Sequence, residues 1–359
     1  MERSKHIAVL GGGSWGTALA TLLANNGHRV MLWCYEKNVA DEINLTHQNT
    51  SYLPGITLSA NITATSDLQE LAQSSELIVE VVPVTYLRSV LKKFAPFVTP
   101  SHRWLIASKG IENNTLLLPS QIIEQVCGAA TMAVVAGPNF AKDLAQQVFT
   151  GSVIAGYDQE FVDELISLFS SSYAVFYPSF DFFGIQAASA LKVLITLALG
   201  IAQGGECGEN TRSYLLTVGM NEMARVVTAF GGQHITAYGL AGLGDLVLCA
   251  VGSQSRNLKA GALLGKGCTL VQVEQACGFL PEGINTAYSI SQWAFEQGVS
   301  IPMCQLVVDV MQGRLTFESY FEKIVSQTVM DDFSLDVNYK ALASKHVEQL
   351  GSQGEYTNF

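Results

Sequence analysis

The stretch Ile7-Ala8-Val9-Leu10-Gly11-Gly12-Gly13-Ser14-Trp15-Gly16-Thr17-Ala18-Leu19-Ala20-Thr21-Leu22-Leu23-Ala24 decides the fold. Four apolar residues with strand character run into a G-x-G-x-x-G turn, and the apolar run after it has helical character. Each glycine has a task in such a turn. Gly11 permits the tight bend, Gly13 lets the backbone approach a pyrophosphate, and Gly16 lets helix and strand pack closely. The start of the helix then offers unpaired N–H groups and a positive dipole end to an anion. A glycine-rich turn by itself also fits a strand-to-helix connection with no ligand. The flanking strand and helix favour a site for NAD(H) or NADP(H).

Outward from this turn, Asn25-Asn26-Gly27 reads as a helix stop and residues 29–34 as a second strand, closing a βαβ unit of about 30 residues. Further strands are expected at 77–82, 104–107, 132–136, 153–155 and 174–177, separated by helical stretches such as 84–94 and 116–127. This alternation predicts a doubly wound parallel sheet. The texture changes at Pro178-Ser179-Phe180-Asp181, after which long helical patterns dominate, including 185–203, 212–230 and 283–296. The expected fold is α/β. It has an N-terminal Rossmann-like doubly wound sheet domain over 1–180, an all-helical C-terminal domain over 181–328, and a surface tail over 329–359.

Composition narrows the function. With a formal charge of -11 in 359 residues and a pI near 5.0, the chain lacks the basic surface that nucleic acid or an anionic membrane rewards. An anionic substrate would need a few local cations to overcome that background. The most apolar run, 193–202, spans ten residues between Lys192 and Gln203, short of the ~20 needed to cross a bilayer. It is expected to be a buried helix, with no membrane span. The N-terminal apolar run ends at the glycines, so no cleaved secretion signal is expected. Seven scattered cysteines without a C-x-x-C pair, and six histidines without metal-ligand spacing, predict reduced thiols, a cytoplasmic setting and no structural metal. An apolar helical domain favours a homodimer.

Five segments in order carry a family resemblance: Gly11 to Ala20 followed by Leu32-Trp33; Ser108-Lys109-Gly110-Ile111-Glu112; Ala136-Gly137-Pro138-Asn139-Phe140-Ala141-Lys142; Ala190-Leu191-Lys192; and Gly239-Leu240-Ala241-Gly242-Leu243-Gly244-Asp245-Leu246 with Ser255-Arg256-Asn257. Over roughly residues 5 to 327 the chain resembles the bacterial-type NAD(P)-dependent glycerol-3-phosphate dehydrogenases. The resemblance implies an oxidoreductase that reversibly reduces dihydroxyacetone phosphate, a small phosphorylated substrate, to sn-glycerol 3-phosphate, the precursor of glycerophospholipids.

The residues suit that chemistry. Hydride transfer to a ketone develops negative charge on oxygen, so the site needs a donor that stabilises and then protonates it. Lys192 lies in an apolar helical run, where desolvation is expected to lower its pKa towards working pH; a lysine snorkelling from a buried helix is the alternative. The resemblance makes Lys192 the catalytic proton acceptor in the oxidation and a substrate contact. Lys109 follows a strand at the carboxyl edge of the sheet, where ligands of open α/β sheets bind; otherwise it is a solvated loop lysine. By resemblance it touches substrate and cofactor.

Ser255-Arg256-Asn257 precedes a helix-like run at 258–264, so hydroxyl, guanidinium and backbone N–H groups could converge on a phosphate, or Ser255 could simply cap the helix. The resemblance gives all three residues to the substrate phosphate and Arg256 also to the cofactor. Asp245, in a glycine-rich run, could accept from a substrate hydroxyl and orient Lys192, or cap a helix. The resemblance also implies substrate contacts at Gly137 and Asn139. For the cofactor it implies Ser14 and Trp15 beside Gly11, Gly13 and Gly16, together with Tyr35, Ala141, Leu280 and Glu282. Two departures stand out, Val193 where the family usually has Asn and Asn139 where it commonly has Ser.

Glu36, twenty residues after Gly16, stands where an acidic residue reads the ribose 2′-hydroxyl of NAD. Many family members instead carry Arg just after the second strand to grip the 2′-phosphate of NADP, and Lys37 is the one cation in Cys34-Tyr35-Glu36-Lys37. Two other readings share parts of the pattern. One is a dehydrogenase of 3-hydroxy acids, which would have no phosphate grip. The other is a non-catalytic nucleotide sensor, which would not need Lys109, Lys192, Asp245 and Arg256 together.

Overall fold

The computed structural model describes residues 4–252 and 254–328; the tail expected over 329–359 lies outside them. Eight strands form one sheet: β1 (His6–Leu10), β2 (Arg29–Trp33), β3 (Ile62–Thr65), β4 (Leu77–Glu80), β5 (Arg103–Ile106), β6 (Met132–Ala136), β7 (Thr150–Gly156) and β8 (Ala174–Ser179). Their order is β3-β2-β1-β4-β5-β6-β7-β8. The chain therefore reverses its direction of winding between β1 and β4, and a crevice opens there at the carboxyl ends of the strands. The two strands that flank this crevice, β1 and β4, are buried along almost their whole length, as the near-continuous apolar runs of parallel strands require.

Two features differ from the sequence expectation. β3 is an additional strand, four residues long and paired in parallel with β2 on one side; Ile62-Thr63-Ala64-Thr65 is too short and too mixed in character to announce itself. The sheet is also not wholly parallel, because β7 runs antiparallel to β6 while pairing in parallel with β8. The link from β6 to β7 contains only the five-residue helix Ala141–Ala145, which packs against helix Ser14–Asn25. A full helix crossing the sheet face would be needed to return the strand in parallel.

Beyond β8 the described residues are helical. Helix Phe182–Gly204 is capped at its start by Asp181, whose carboxylate accepts from the Gly184 N–H at 3.0 Å, and is buried along nearly its whole length. At 23 residues it extends the helix expected over 185–203 by a few residues at its ends and is long and apolar enough to span a bilayer, but its apolar window is wholly enclosed by protein. A second stretch, His234–Val251, passes the same length and hydropathy test with a third of its window buried. Helices Glu209–Ala229, Arg256–Gly265, Glu282–Gln297 and Pro302–Met311 surround Phe182–Gly204 and share one apolar core with it.

Candidate active site

The glycine-rich turn adopts the geometry its residues predict. Gly11 has φ +133°, and a Cβ there would meet the Val81 carbonyl at 3.0 Å, across the crevice between β1 and β4. A Cβ on Gly16 would lie 1.8 Å from the Gly11 oxygen, so only glycine lets the helix sit this close to the strand. Gly13 faces open space and precedes helix Ser14–Asn25 without any side-chain cap. The first N–H groups of that helix are thus left to a ligand. The Trp15 indole N–H is buried without a partner. An open approach, unclaimed amides and an orphaned donor fit a dinucleotide pyrophosphate.

The catalytic candidates converge farther along the carboxyl edge. Lys192 and Lys109 bind opposite oxygens of one carboxylate: Lys192 Nζ to Asp245 Oδ1 at 2.9 Å and Lys109 Nζ to Asp245 Oδ2 at 2.7 Å. Lys192 is 7% and Asp245 2% exposed. Lys109 Nζ also donates to Asn139 Oδ1 at 3.4 Å, and Asn139 Nδ2 donates to Ser152 Oγ at 3.1 Å. Neither lysine is a solvated surface residue, and Asp245, the first residue of helix Asp245–Val251, does not cap it. Gly137, at φ +151°, brings the chain against Ser152 so closely that a Cβ would lie 2.8 Å from its Cα.

Electrostatics corrects one expectation. Burial alone would lower the Lys192 pKa, but the Asp245 carboxylate overrides it and holds Lys192 above the ordinary lysine range. Lys109 moves the other way. Burial lowers it, and with repulsion from Lys192 added this outweighs the attraction of the shared carboxylate. Asp245 itself loses by burial, yet the two ammoniums keep it below the usual carboxylate range.

Cys249 completes this cluster. Its sulfur lies 3.2 Å from Lys192 Nζ and 3.7 Å from Asp245 Oδ1. With one N–H on Asp245 and one facing sulfur, the Lys192 ammonium keeps a third for a substrate oxygen.

Ser255 caps helix Arg256–Gly265, accepting from the Leu258 N–H at 3.2 Å, so the capping role holds. Arg256 lies over the Phe279 ring at 5.2 Å. Asn257 Oδ1 is buried without a partner, and Gly283 leaves room for it, since a Cβ there would sit 2.4 Å away. Glu282, at the start of helix Glu282–Gln297, accepts from the Val84 N–H at 2.8 Å and ties that helix to the turn after β4. Burial pushes its carboxyl up to about 7, against the opposing pull of the Val84 N–H and Arg256. Leu280 packs on the helical core and Ala141 on the sheet core.

Tyr35 stands apart from the lysines at the end of β2, 71% exposed and edge-on to Trp33. The Ser14 hydroxyl donates to the Tyr52 carbonyl. Sequence reasoning missed Cys249, Ser152, Tyr52 and Glu80. Only Glu80 left a trace, as a lone charge in the apolar run 77–82.

Comparison with known proteins decides the family. Residues 6–162 match the model of the NAD-dependent glycerol-3-phosphate dehydrogenase N-terminus, and residues 181–322 match that of the C-terminus. The chain belongs to the NAD-dependent glycerol-3-phosphate dehydrogenase family. Within it, the chain is 38% identical over 337 residues to the glycerol-3-phosphate dehydrogenase [NAD(P)+] of Geobacter metallireducens, covering 92% of this chain and 97% of the relative. The enzyme of the same name from Teredinibacter turnerae is 38% identical over 303 residues, 84% of this chain and 89% of the relative. A solved glycerol-3-phosphate dehydrogenase from Coxiella burnetii superposes with TM-score 0.86 at 31% identity, covering 90% of this chain and 99% of that one.

Proposed function

We propose that the chain catalyses reversible NAD(P)H-dependent reduction of dihydroxyacetone phosphate to sn-glycerol 3-phosphate, supplying glycerophospholipid synthesis. The observation that carries this reading is the pair of lysines on the two oxygens of buried Asp245. The bound nicotinamide supplies the hydride in the reduction and receives it in the oxidation.

Lys192 acts on the carbonyl oxygen, donating a hydrogen bond to the charge that develops there and then its proton. Asp245 keeps that proton in place in the waiting enzyme, which suits the reduction; in the oxidation Lys192 must first lose it. Lys109 adds a second cation and, with Asn139 and Gly137, positions the substrate. Ser255, Arg256 and Asn257 hold the phosphate by a hydroxyl, a guanidinium fork and an amide. Gly11, Gly13, Ser14, Trp15, Gly16, Tyr35, Ala141, Leu280 and Glu282 hold the cofactor, with Lys109 and Arg256 reaching it from the substrate side. The sheet domain ends and the helical domain begins at the Asp181 cap. A cytoplasmic homodimer fits the cysteine pattern and the apolar helical region.

The test follows reduced-cofactor oxidation with dihydroxyacetone phosphate and with unphosphorylated dihydroxyacetone. Arg256→Ala should lose ~1.5–3 kcal/mol more transition-state stabilisation with the phosphorylated substrate than with the unphosphorylated one, a loss through the cofactor being common to both. Lys192→Ala should abolish most turnover while cofactor binding is nearly unchanged. Equal losses on both substrates would remove the phosphate grip, and undiminished turnover would remove Lys192 from the chemistry.

A further inference from the structure

The turn after β2 and the segment that crosses it are tied by hydrogen bonds to the glycine-rich turn. Asn49 is fully buried; its Nδ2 donates to the Gly12 carbonyl and to Thr17 Oγ1, both at 2.9 Å, and its Oδ1 accepts from the Tyr52 N–H at 3.1 Å. The Ser14 hydroxyl fastens the same segment by donating to the Tyr52 carbonyl. Tyr52 is thereby fixed to the glycine-rich turn, and its hydroxyl reaches across to donate to Glu36 Oε1 at 2.8 Å.

Glu36 holds the position immediately before helix Lys37–Thr46, at the carboxyl end of the second strand, where this fold meets the adenosine ribose. The Lys37 ammonium is engaged elsewhere. It binds both oxygens of Asp41 one turn along its own helix, at 2.9 and 2.8 Å. The exposed Tyr35 ring brings no charge. Beside the glycine-rich turn there is thus a carboxylate oriented by a phenol, with the neighbouring cation turned along its helix.

We infer that the chain selects NAD(H) over NADP(H), with Glu36 as the specificity-determining residue and Tyr52 as the residue that positions it. A ribose 2′-hydroxyl can donate to the carboxylate, whereas a 2′-phosphate places like charge against it, and residues 34–37 of that turn carry no guanidinium to offset the cost. This rests on the dehydrogenase reading only for the presence of a dinucleotide site.

The test is calorimetric titration of NADH and NADPH into the wild-type chain, Glu36→Gln and Tyr52→Phe, with thermal melts as a folding control and dihydroxyacetone phosphate reduction followed in parallel. The wild type should bind NADH at least about tenfold more tightly than NADPH, the scale of a hydrogen bond to a charged group. Glu36→Gln should narrow that ratio by about tenfold, mainly by tightening NADPH. Tyr52→Phe should weaken NADH by about three- to tenfold and narrow the ratio at an unchanged melting temperature. Equal or tighter NADPH binding by the wild type, or a ratio untouched by Glu36→Gln, overturns the inference. Selective NADH binding without turnover of dihydroxyacetone phosphate would support the selectivity and sink the proposed reaction instead.

Discussion

At the end of β4 a carboxyl group sits wholly out of water. Glu80 accepts from the Val82 N–H at 2.6 Å and from Ser108 Oγ at 2.6 Å, and it lies in register between Leu10 of β1 and Ile106 of β5, at the crevice itself. Burial pushes its pKa up to about 8, against the lowering effect of those two hydrogen bonds. The folded chain therefore holds this proton more tightly than the unfolded chain. The stability it contributes is complete below the ordinary carboxyl range and is lost as pH rises through about 8. Glu80→Gln, which can still accept from Val82 and can donate to Ser108, should lose less stability than the wild type on going from about pH 5 to about pH 9. The gap should open by at most ~1.4 kcal/mol per pH unit. Urea denaturation across that range checks this, and parallel curves would show that Glu80 titrates in the folded chain just as it does in the unfolded one. Single residues differ in how far they can be read in advance. Lys192 is conspicuous because an ammonium amid apolar neighbours demands a partner. The partner's effect on its pKa is not legible, because Asp245 lies 53 positions away. Cys249 passes for a small apolar residue until the fold brings it to Lys192.

Helices Phe182–Gly204 and Arg256–Gly265 meet backbone to backbone. A Cβ on Gly200 would lie 2.4 Å from the Leu258 oxygen, one on Gly204 2.1 Å from the Ala262 oxygen, one on Gly261 2.3 Å from the Leu197 oxygen, and one on Gly265 2.2 Å from the Ile201 oxygen. This glycine interlock fixes the helix that begins at Ser255-Arg256-Asn257 against the helix that carries Lys192. Gly261→Ala should cost ~1–3 kcal/mol of stability and raise KM for dihydroxyacetone phosphate more than it lowers kcat, because the proposed phosphate contacts move while Lys192 stays. Denaturation curves and steady-state kinetics together check it; an unchanged KM in a destabilised variant would detach the interlock from phosphate binding. Long, strongly patterned helices such as Glu282–Gln297 are legible almost to their ends. The interlock is not, since a glycine in a helix reads first as a weak point, and only the crossing partner shows what its missing side chain permits.

Across the whole molecule, the glycine-rich turn was enough to place the first βαβ unit and the crevice, because its three glycines answer to local geometry. The reversal of β7 was not legible, since strand direction depends on where an intervening short helix packs. The cluster around Asp245 joins residues from β5's loop, the buried helix and the glycine-rich run before Asp245, and it became visible in advance only through the order of several motifs.

Two ammoniums around one carboxylate leave a surplus positive charge at the heart of a chain whose formal net charge is -11. An approaching phosphate ester is repelled at long range and attracted only at the end. Dissolved ions act unequally on these forces, shrinking the Debye length from ~30 Å at 0.01 M to ~8 Å at 0.15 M while screening a buried site far less. Capture should therefore quicken as ionic strength rises over that range, with kcat/KM for dihydroxyacetone phosphate increasing severalfold. A decline from the first addition of salt would mean that the local cations already govern the encounter.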